Sequence, residues 1–301
     1  MSIARNAAAF RVIQLRMRTG LLLLISWGLS GLAAADSPPA AVTVPFYIFI
    51  GQSNTGWLGV AGLTEEQKAL YGGLVPETDI WNPANGAFGA RWEPLKVGAN
   101  TRCENFADGT AFGAEASLMA SLQKQKKTRR LLYKQGQGGT SLAVDWKPVI
   151  PYVGGAGSRY AQFSQWLALA AAQADELHLK LDLQGILWMQ GETDAEKEES
   201  AKAYLPNLRE FFAAVDGLWR AAADKHGFPR RDYKRIVGRI NAPGFKFRDA
   251  VRKAQEAYCA DPASRAVLID TDAYPLDWVH YTPAGQIQFG LDIFKAARFE
   301  L

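Results

Sequence analysis

The chain has 301 residues, a formal net charge of +4, three histidines, two cysteines and nine tryptophans. Four arginines, Arg5, Arg11, Arg16 and Arg18, precede residue 35 with no acidic residue to offset them, so the remainder is formally neutral. A neutral body excludes nucleic acid as a partner, because that affinity comes from clustered Lys and Arg neutralising phosphates.

The basic start runs into an apolar stretch from Leu21 to Leu32 and then Ala33-Ala34-Ala35, the layout of a secretory leader cleaved after Ala35. Ser26, Gly28, Ser30 and Gly31 interrupt the stretch, which is short for a helix crossing about 30 Å of hydrocarbon. The expectation is a secreted or periplasmic protein with no stable membrane span after cleavage; an uncleaved N-terminal anchor is the alternative. Residues 36–301 carry no linker or repeat and read as one domain.

Short apolar, β-branched runs then alternate with segments of helical period. Strands are predicted at Pro45–Ile50, Arg130–Lys134, Leu183–Met189, Arg235–Ile240 and Ala266–Asp270. Helices are predicted near Ala111–Lys126, Tyr160–His178, Glu196–His226, Phe247–Tyr258 and Thr282–Arg298. Continuous apolar strands are covered on both faces, which makes the fold class α/β: a three-layer αβα sandwich with about five mostly parallel strands. Residues 55–108 break the rhythm with Gly-Gly, Asn-Pro and Asn-Gly pairs and read as a loop excursion following directly on Ser53.

Reactive groups in such sheets collect at the carboxyl ends of the strands. The first strand ends in Gly51-Gln52-Ser53-Asn54, the second in Gly136-Gln137-Gly138-Gly139-Thr140-Ser141, and the third in Gln190-Gly191-Glu192-Thr193-Asp194; after the last strand comes Asp277-Trp278-Val279-His280. A serine needs a base, and the base a partner that fixes its tautomer. Of the three histidines, His178 lies in an amphipathic stretch and His226 in a turn. His280 lies after the last strand and has a carboxylate, Asp277, three residues before it. Candidate oxyanion donors are the Ser53 N–H, a glycine of the Gly138-Gly139 pair and the Gln190 amide.

A Gly-x-Ser-x-Gly elbow would carry glycine where Thr55 stands. The Gly136–Ser141 stretch lacks the Gly-Lys-Ser/Thr ending of a phosphate loop. Neither His pairs nor Cys-x-x-Cys occur, so no metal or other cofactor is expected. Cys103 and Cys259 allow either one disulfide or two separate thiols. Among the tryptophans, Trp188 reads as core, while Trp57, Trp146 and Trp278 stand close enough to the motifs to line a substrate pocket. Arg102 and Glu104 either face that pocket or belong to a solvated loop.

These motifs carry a resemblance. Gly-Gln-Ser-Asn after an apolar strand, Lys134 with Gly-Gly-Thr-Ser-Leu and Trp146, Trp-x-Gln-Gly-Glu-x-Asp and a terminal Asp-x-x-His resemble the sialic acid acetylesterase-like branch of the SGNH hydrolases, close to carbohydrate esterase family six. Phe112-Gly113-Ala114-Glu115 is similar to a further segment of that branch, with Ala where Pro is common. The likeness spans roughly Phe46 to Phe289. It implies a flavodoxin-like fold and metal-free removal of O-acetyl groups from a carbohydrate of sialate or xylan type. It places the nucleophile on Ser53, the acid on Asp277, the base on His280 and the oxyanion donors on Ser53, Gly138 and Gln190. Glu192 and Asp194 match acidic positions of the branch, and Glu192 either assists the histidine or bonds loop amides. The superfamily's usual asparagine is absent, with Gln190 in its place. Gln52, Asn54, Trp57, Gly139 and Trp278 complete the residues expected to touch or support substrate. A silent carbohydrate-binding protein of the same fold, or an esterase for non-sugar esters, are the alternatives; the sequence sets no oligomeric state.

Overall fold

A computed structural model describes residues 40–85, 90–105, 108–149 and 156–299. The expected leader at residues 1–35 lies outside the described residues.

The chain enters through β1 (Val42–Gly51), whose last six residues are buried on both faces, then makes a 3-10 turn at Ser53–Thr55. Helix α1 (Glu65–Tyr71) is closed by a capping box in which the Thr64 side chain accepts from the Gln67 N–H and the Gln67 side chain from the Thr64 N–H. There follow β2 (Gly73–Trp81), β3 (Glu93–Val97), α2 (Glu115–Gln125), β4 (Arg130–Gly136), α3 (Ser158–Glu176) and β5 (Leu179–Met189). The second half comprises α4 (Glu198–Lys202), α5 (Tyr204–His226), β6 (Lys234–Gly238), α6 (Arg248–Ala260), β7 (Ala266–Ile269), the hairpin of β8 (Leu276–Asp277) and β9 (His280–Tyr281), and α7 (Pro283–Ala297).

Seven strands form one sheet in the order β3-β2-β4-β1-β5-β6-β7, parallel except for β3. Helices flank it in two groups, α2 against α7 and α3 with α5 and α6, completing the αβα sandwich. The five predicted strands are all present, and two more come from the excursion, which is only partly loop. The single helix expected over Glu196–His226 is instead α4 followed by α5. Pro206 sits in the first turn of α5, where a missing N–H costs nothing, and would break the ladder further in.

Register sets the site. Gly51 of β1 pairs with Gly136 of β4 and with Met189 of β5, so three strands end level and their following residues emerge side by side. β1 lies where the connections turn to opposite sides of the sheet, the place where open α/β sheets bind ligands. Cys103 and Cys259 are separate thiols, the first buried in the loop before α2 and the second on α6. No helix among the described residues is long and apolar enough to cross a membrane.

Candidate active site

Ser53 opens the 3-10 turn directly after β1 and is only 5% exposed. The sharp exit from the strand rests on Gly51, whose φ is +150° and whose absent Cβ would stand 2.0 Å from the Met189 carbonyl oxygen. The Gln52 N–H donates to that same oxygen at 2.9 Å, which fixes the turn to β5. The Ser53 N–H starts the turn, where backbone donors have no helical partner, and it donates to nothing among the described residues.

Asn54 joins this turn to the histidine hairpin. Its Nδ2 donates to the Val279 carbonyl (3.0 Å) and to Glu192 Oε1 (2.6 Å), its Oδ1 accepts the Tyr281 N–H (2.9 Å), and its own carbonyl accepts from Gln286 Nε2 (3.0 Å). The two hairpin bonds bracket His280. In the hairpin, Asp277 pairs directly opposite His280, which sets their side chains on one face of the ribbon about 5 Å apart at Cβ. Asp277 is exposed and His280 half-buried. Burial holds the imidazole below its ordinary value of 6.5, and the Asp277 charge opposes that fall. No hydrogen bond is made between His280 and either Ser53 or Asp277; such bonds commonly tighten only around substrate.

The Trp57 ring stacks on His280, centroids 4.8 Å apart and planes at 13°. The far edge of the same indole meets Gly138, where a Cβ would stand 2.6 Å from the ring. Trp57 is thereby wedged between the histidine and the glycine loop. Trp278 lies on the hairpin with its ring edge-on to His280, and Phe245 lies beside it.

The glycine loop is held from β5. Asp194 accepts the Leu142 N–H (2.7 Å), the Ala143 N–H (3.0 Å) and Gln190 Nε2 (2.6 Å), and Gln190 Nε2 also donates to the Thr140 carbonyl (3.0 Å). Both hydrogens of the Gln190 amide are therefore spent inside the protein, and Gln190 is fully buried. The expectation that it donates to an oxyanion is corrected: Gln190 braces the loop. Gly138 N–H donates to Asn105 Oδ1 (3.2 Å), while Gly139, in the left-handed region at φ +71°, is exposed with open space beside its Cα. Glu192 is buried, and desolvation pushes its carboxyl up to about 7 against the pull of the Asn54 hydrogen bond. The Gln52 amide, with its nitrogen turned to the acceptors around it, donates to Glu192 Oε2 (3.2 Å) and the Thr140 carbonyl (3.3 Å).

Other expected residues fall elsewhere. Trp146 is buried, donates through Nε1 to Thr140 Oγ1 (3.0 Å) and packs on Trp188 and Phe211, so it belongs to the core with Trp188. Arg102 bonds the Ala84 carbonyl and Glu104 pairs with Arg159, which makes both loop anchors. His178 and His226 sit at the opposite end of the sheet: the His178 carbonyl accepts from Val42 at the start of β1, and His226 pairs with Asp175. Ten residues of strand separate that end from Ser53, roughly 30 Å. Asn105 and Phe245 escaped the sequence reading. Phe245 follows the end of β6, a strand terminus where site residues could have been sought; Asn105 carries no comparable signal.

A doubly covered, mostly parallel sheet brings a serine turn, a histidine hairpin and a glycine loop together at its carboxyl edge, and the family that the chain matches makes it a carboxylic ester hydrolase. Residues 43–298 match the family described as carbohydrate esterase, sialic acid-specific acetylesterase, and the chain belongs to it, with esterase activity on carbohydrates. No curated protein matches the chain. Among solved structures, a protein from Arabidopsis thaliana superposes with a TM-score of 0.57 at 19% identity, covering 83% of this chain and 96% of that one. A carbohydrate acetylesterase from Xanthomonas citri gives 0.54 at 15%, covering 84% and 56%, and NanS gives 0.51 at 12%, covering 80% of each. At these identities the likeness is one of fold.

Proposed function

We propose that the enzyme removes acetyl groups from carbohydrate hydroxyls by a serine mechanism. His280, neutral at the pH of reaction, takes the Ser53 proton as Ser53 Oγ attacks the acetyl carbonyl. The carbonyl oxygen becomes an oxyanion held by the Ser53 N–H, and by the Gly138 N–H once Asn105 Oδ1 yields that donor. The C–O bond to the sugar breaks, and His280 returns the proton to the departing sugar oxygen. Water, deprotonated by His280, then attacks the acetyl-enzyme and releases acetate. Asp277 stabilises the imidazolium formed in each half. Glu192 acts through Asn54 rather than on the reacting atoms.

The observation that carries this reading is the Asn54 clamp, which ties the serine turn to both neighbours of His280 across more than 220 residues of sequence. The reading extends to residues 1–35, which direct export to the compartment where acetylated glycans lie. Ser53→Ala and His280→Ala variants are each expected to lose at least about 10³-fold in kcat/KM on 4-nitrophenyl acetate, and a fluorophosphonate probe is expected to label Ser53 in the wild type alone. Turnover near the wild-type rate in Ser53→Ala would overturn the assignment.

A further inference from the structure

Trp278 is 72% exposed, the most exposed large apolar side chain among the described residues. It is also a bulky residue in the left-handed region, with φ 56°. It occupies the first central position of the two-residue turn between β8 and β9, where Gly or Asn is the residue that fits. A Trp there costs backbone strain, and an indole left in water regains little of it by burial. The strain persists because Asn54 pins Val279, the second residue of the turn, and Tyr281 beyond it. A second turn also carries a non-glycine residue at positive φ: Ala242 has φ 38°, and the segment it begins brings Phe245 to 6.3 Å from the Trp278 ring. Two separate loops thus bear strained residues and meet in an aromatic pair, Trp278 exposed and Phe245 half-buried beneath it against the core. The Trp278 ring is 6.3 Å from that of His280.

The chemistry of the histidine says what belongs on that pair. His280 hands its proton to the oxygen that leaves, so the alcohol portion of the ester lies on the His280 side of the acyl carbon and the acetyl methyl does not. The C–H face of a pyranose is apolar and flat on the scale of an indole, and it is what a carbohydrate offers to an aromatic plane. We infer that Trp278, supported by Phe245, is the platform on which the leaving sugar ring stacks, and that it selects sugar esters over esters of small alcohols. This rests on the serine mechanism proposed above. Binding energy from a non-reacting ring is realised in acylation, when the sugar is still attached; deacylation follows its departure and is indifferent to the platform.

The test compares kcat/KM on ethyl acetate, whose alcohol is too small to stack, with that on acetylated methyl xylopyranoside or acetylated N-acetylneuraminic acid, whichever the wild type turns over faster. Trp278→Ala is expected to lower kcat/KM for the sugar ester about three- to tenfold, to leave ethyl acetate within twofold, and to leave the rate of acetyl-enzyme breakdown unchanged. Phe245→Ala shows a smaller loss of the same selectivity, and Trp278→Tyr restores most of it. Equal loss on both substrates, no loss on either, or a wild type that turns over ethyl acetate but neither sugar ester overturns the inference. Ser53→Ala run in parallel separates the two questions: if its turnover persists, it is the serine mechanism that has failed.

Discussion

His280 is the residue on which acid dependence turns. Burial lowers its pKa and the Asp277 charge raises it, so the neutral base predominates above a value lying under 6.5 and is lost as pH falls through it. The acid limb of kcat/KM is therefore expected below 6.5, measured as a pH–rate profile on an acetate ester. Asp277→Asn removes the charge that favours imidazolium, which moves the limb further to the acid side and lowers kcat/KM at least about tenfold; a limb that moved up would contradict the pairing. Glu192, pushed up to about 7 by burial, titrates nearby, and Glu192→Gln strips its contribution while leaving the histidine limb in place. At this scale the sequence was legible by position, since of three histidines only His280 lies after the last predicted strand, with Asp277 three residues before it. Gln190 was not. Its position at a strand end is the same whether its amide points to substrate or inward, and its partners Thr140 and Asp194 decide that only once the loop after β4 folds back on β5. Asn54 was visible beside Ser53, but its work is done with residues 225 and 227 positions away.

Elements were legible where a strand's apolar residues run on with little interruption and hidden where they do not. Each of the five predicted strands forms a near-continuous apolar run. β2 escapes because Pro76 and the left-handed Glu77 (φ 50°) break its alternation, and its pairing with β3 slips between Leu74 and Asp79. Edge β3 is half-exposed, with Pro94 near its start. Turn chemistry hid the β8–β9 hairpin in the same way, since Trp-Val occupies the two positions where a turn would ordinarily announce itself with Asn-Gly. That misfit makes its own prediction. Trp278→Asn puts a residue that tolerates φ near +56° into a turn whose ring contacts are few, and is expected to stabilise the protein by about 1 kcal/mol, about 2–4 °C in Tm for a domain of this size. Calorimetry on the purified variant checks it, and a lower Tm would mean that the indole supports the hairpin.

Across the whole molecule, the site and the core are joined by a buried ion pair. Lys134 of β4 and Glu115 of α2 meet at 2.6 Å with side chains 0% and 1% exposed. Lys134 Nζ also donates to the Thr101 carbonyl and lies over the Phe49 ring at 5.4 Å, and Glu115 Oε1 accepts the Gly113 N–H. Gly56, which closes the serine turn, sits so near Lys134 Nζ that a Cβ would come within 2.9 Å of it. One charge thus touches the central sheet, the outer helix layer, the loop before α2 and the turn that carries Ser53. Desolvation drives the Lys134 pKa down and Glu115 holds it up, so each charge is tolerable only because of the other. Removing one partner strands an unpaired charge in a site closed to water, and Lys134→Met or Glu115→Leu alone is expected to cost about 3–5 kcal/mol in denaturant unfolding. The double variant replaces the pair by apolar volume and should fall well short of the sum of the singles, within about 2 kcal/mol of the wild type. Additive losses would show that the two charges are stabilised separately. Sub-additive stability with a reduced kcat would show that the pair serves less to hold the sheet together than to seat the turn bearing Ser53, since apolar side chains can refill the core but cannot bond the Thr101 carbonyl beneath Gly56.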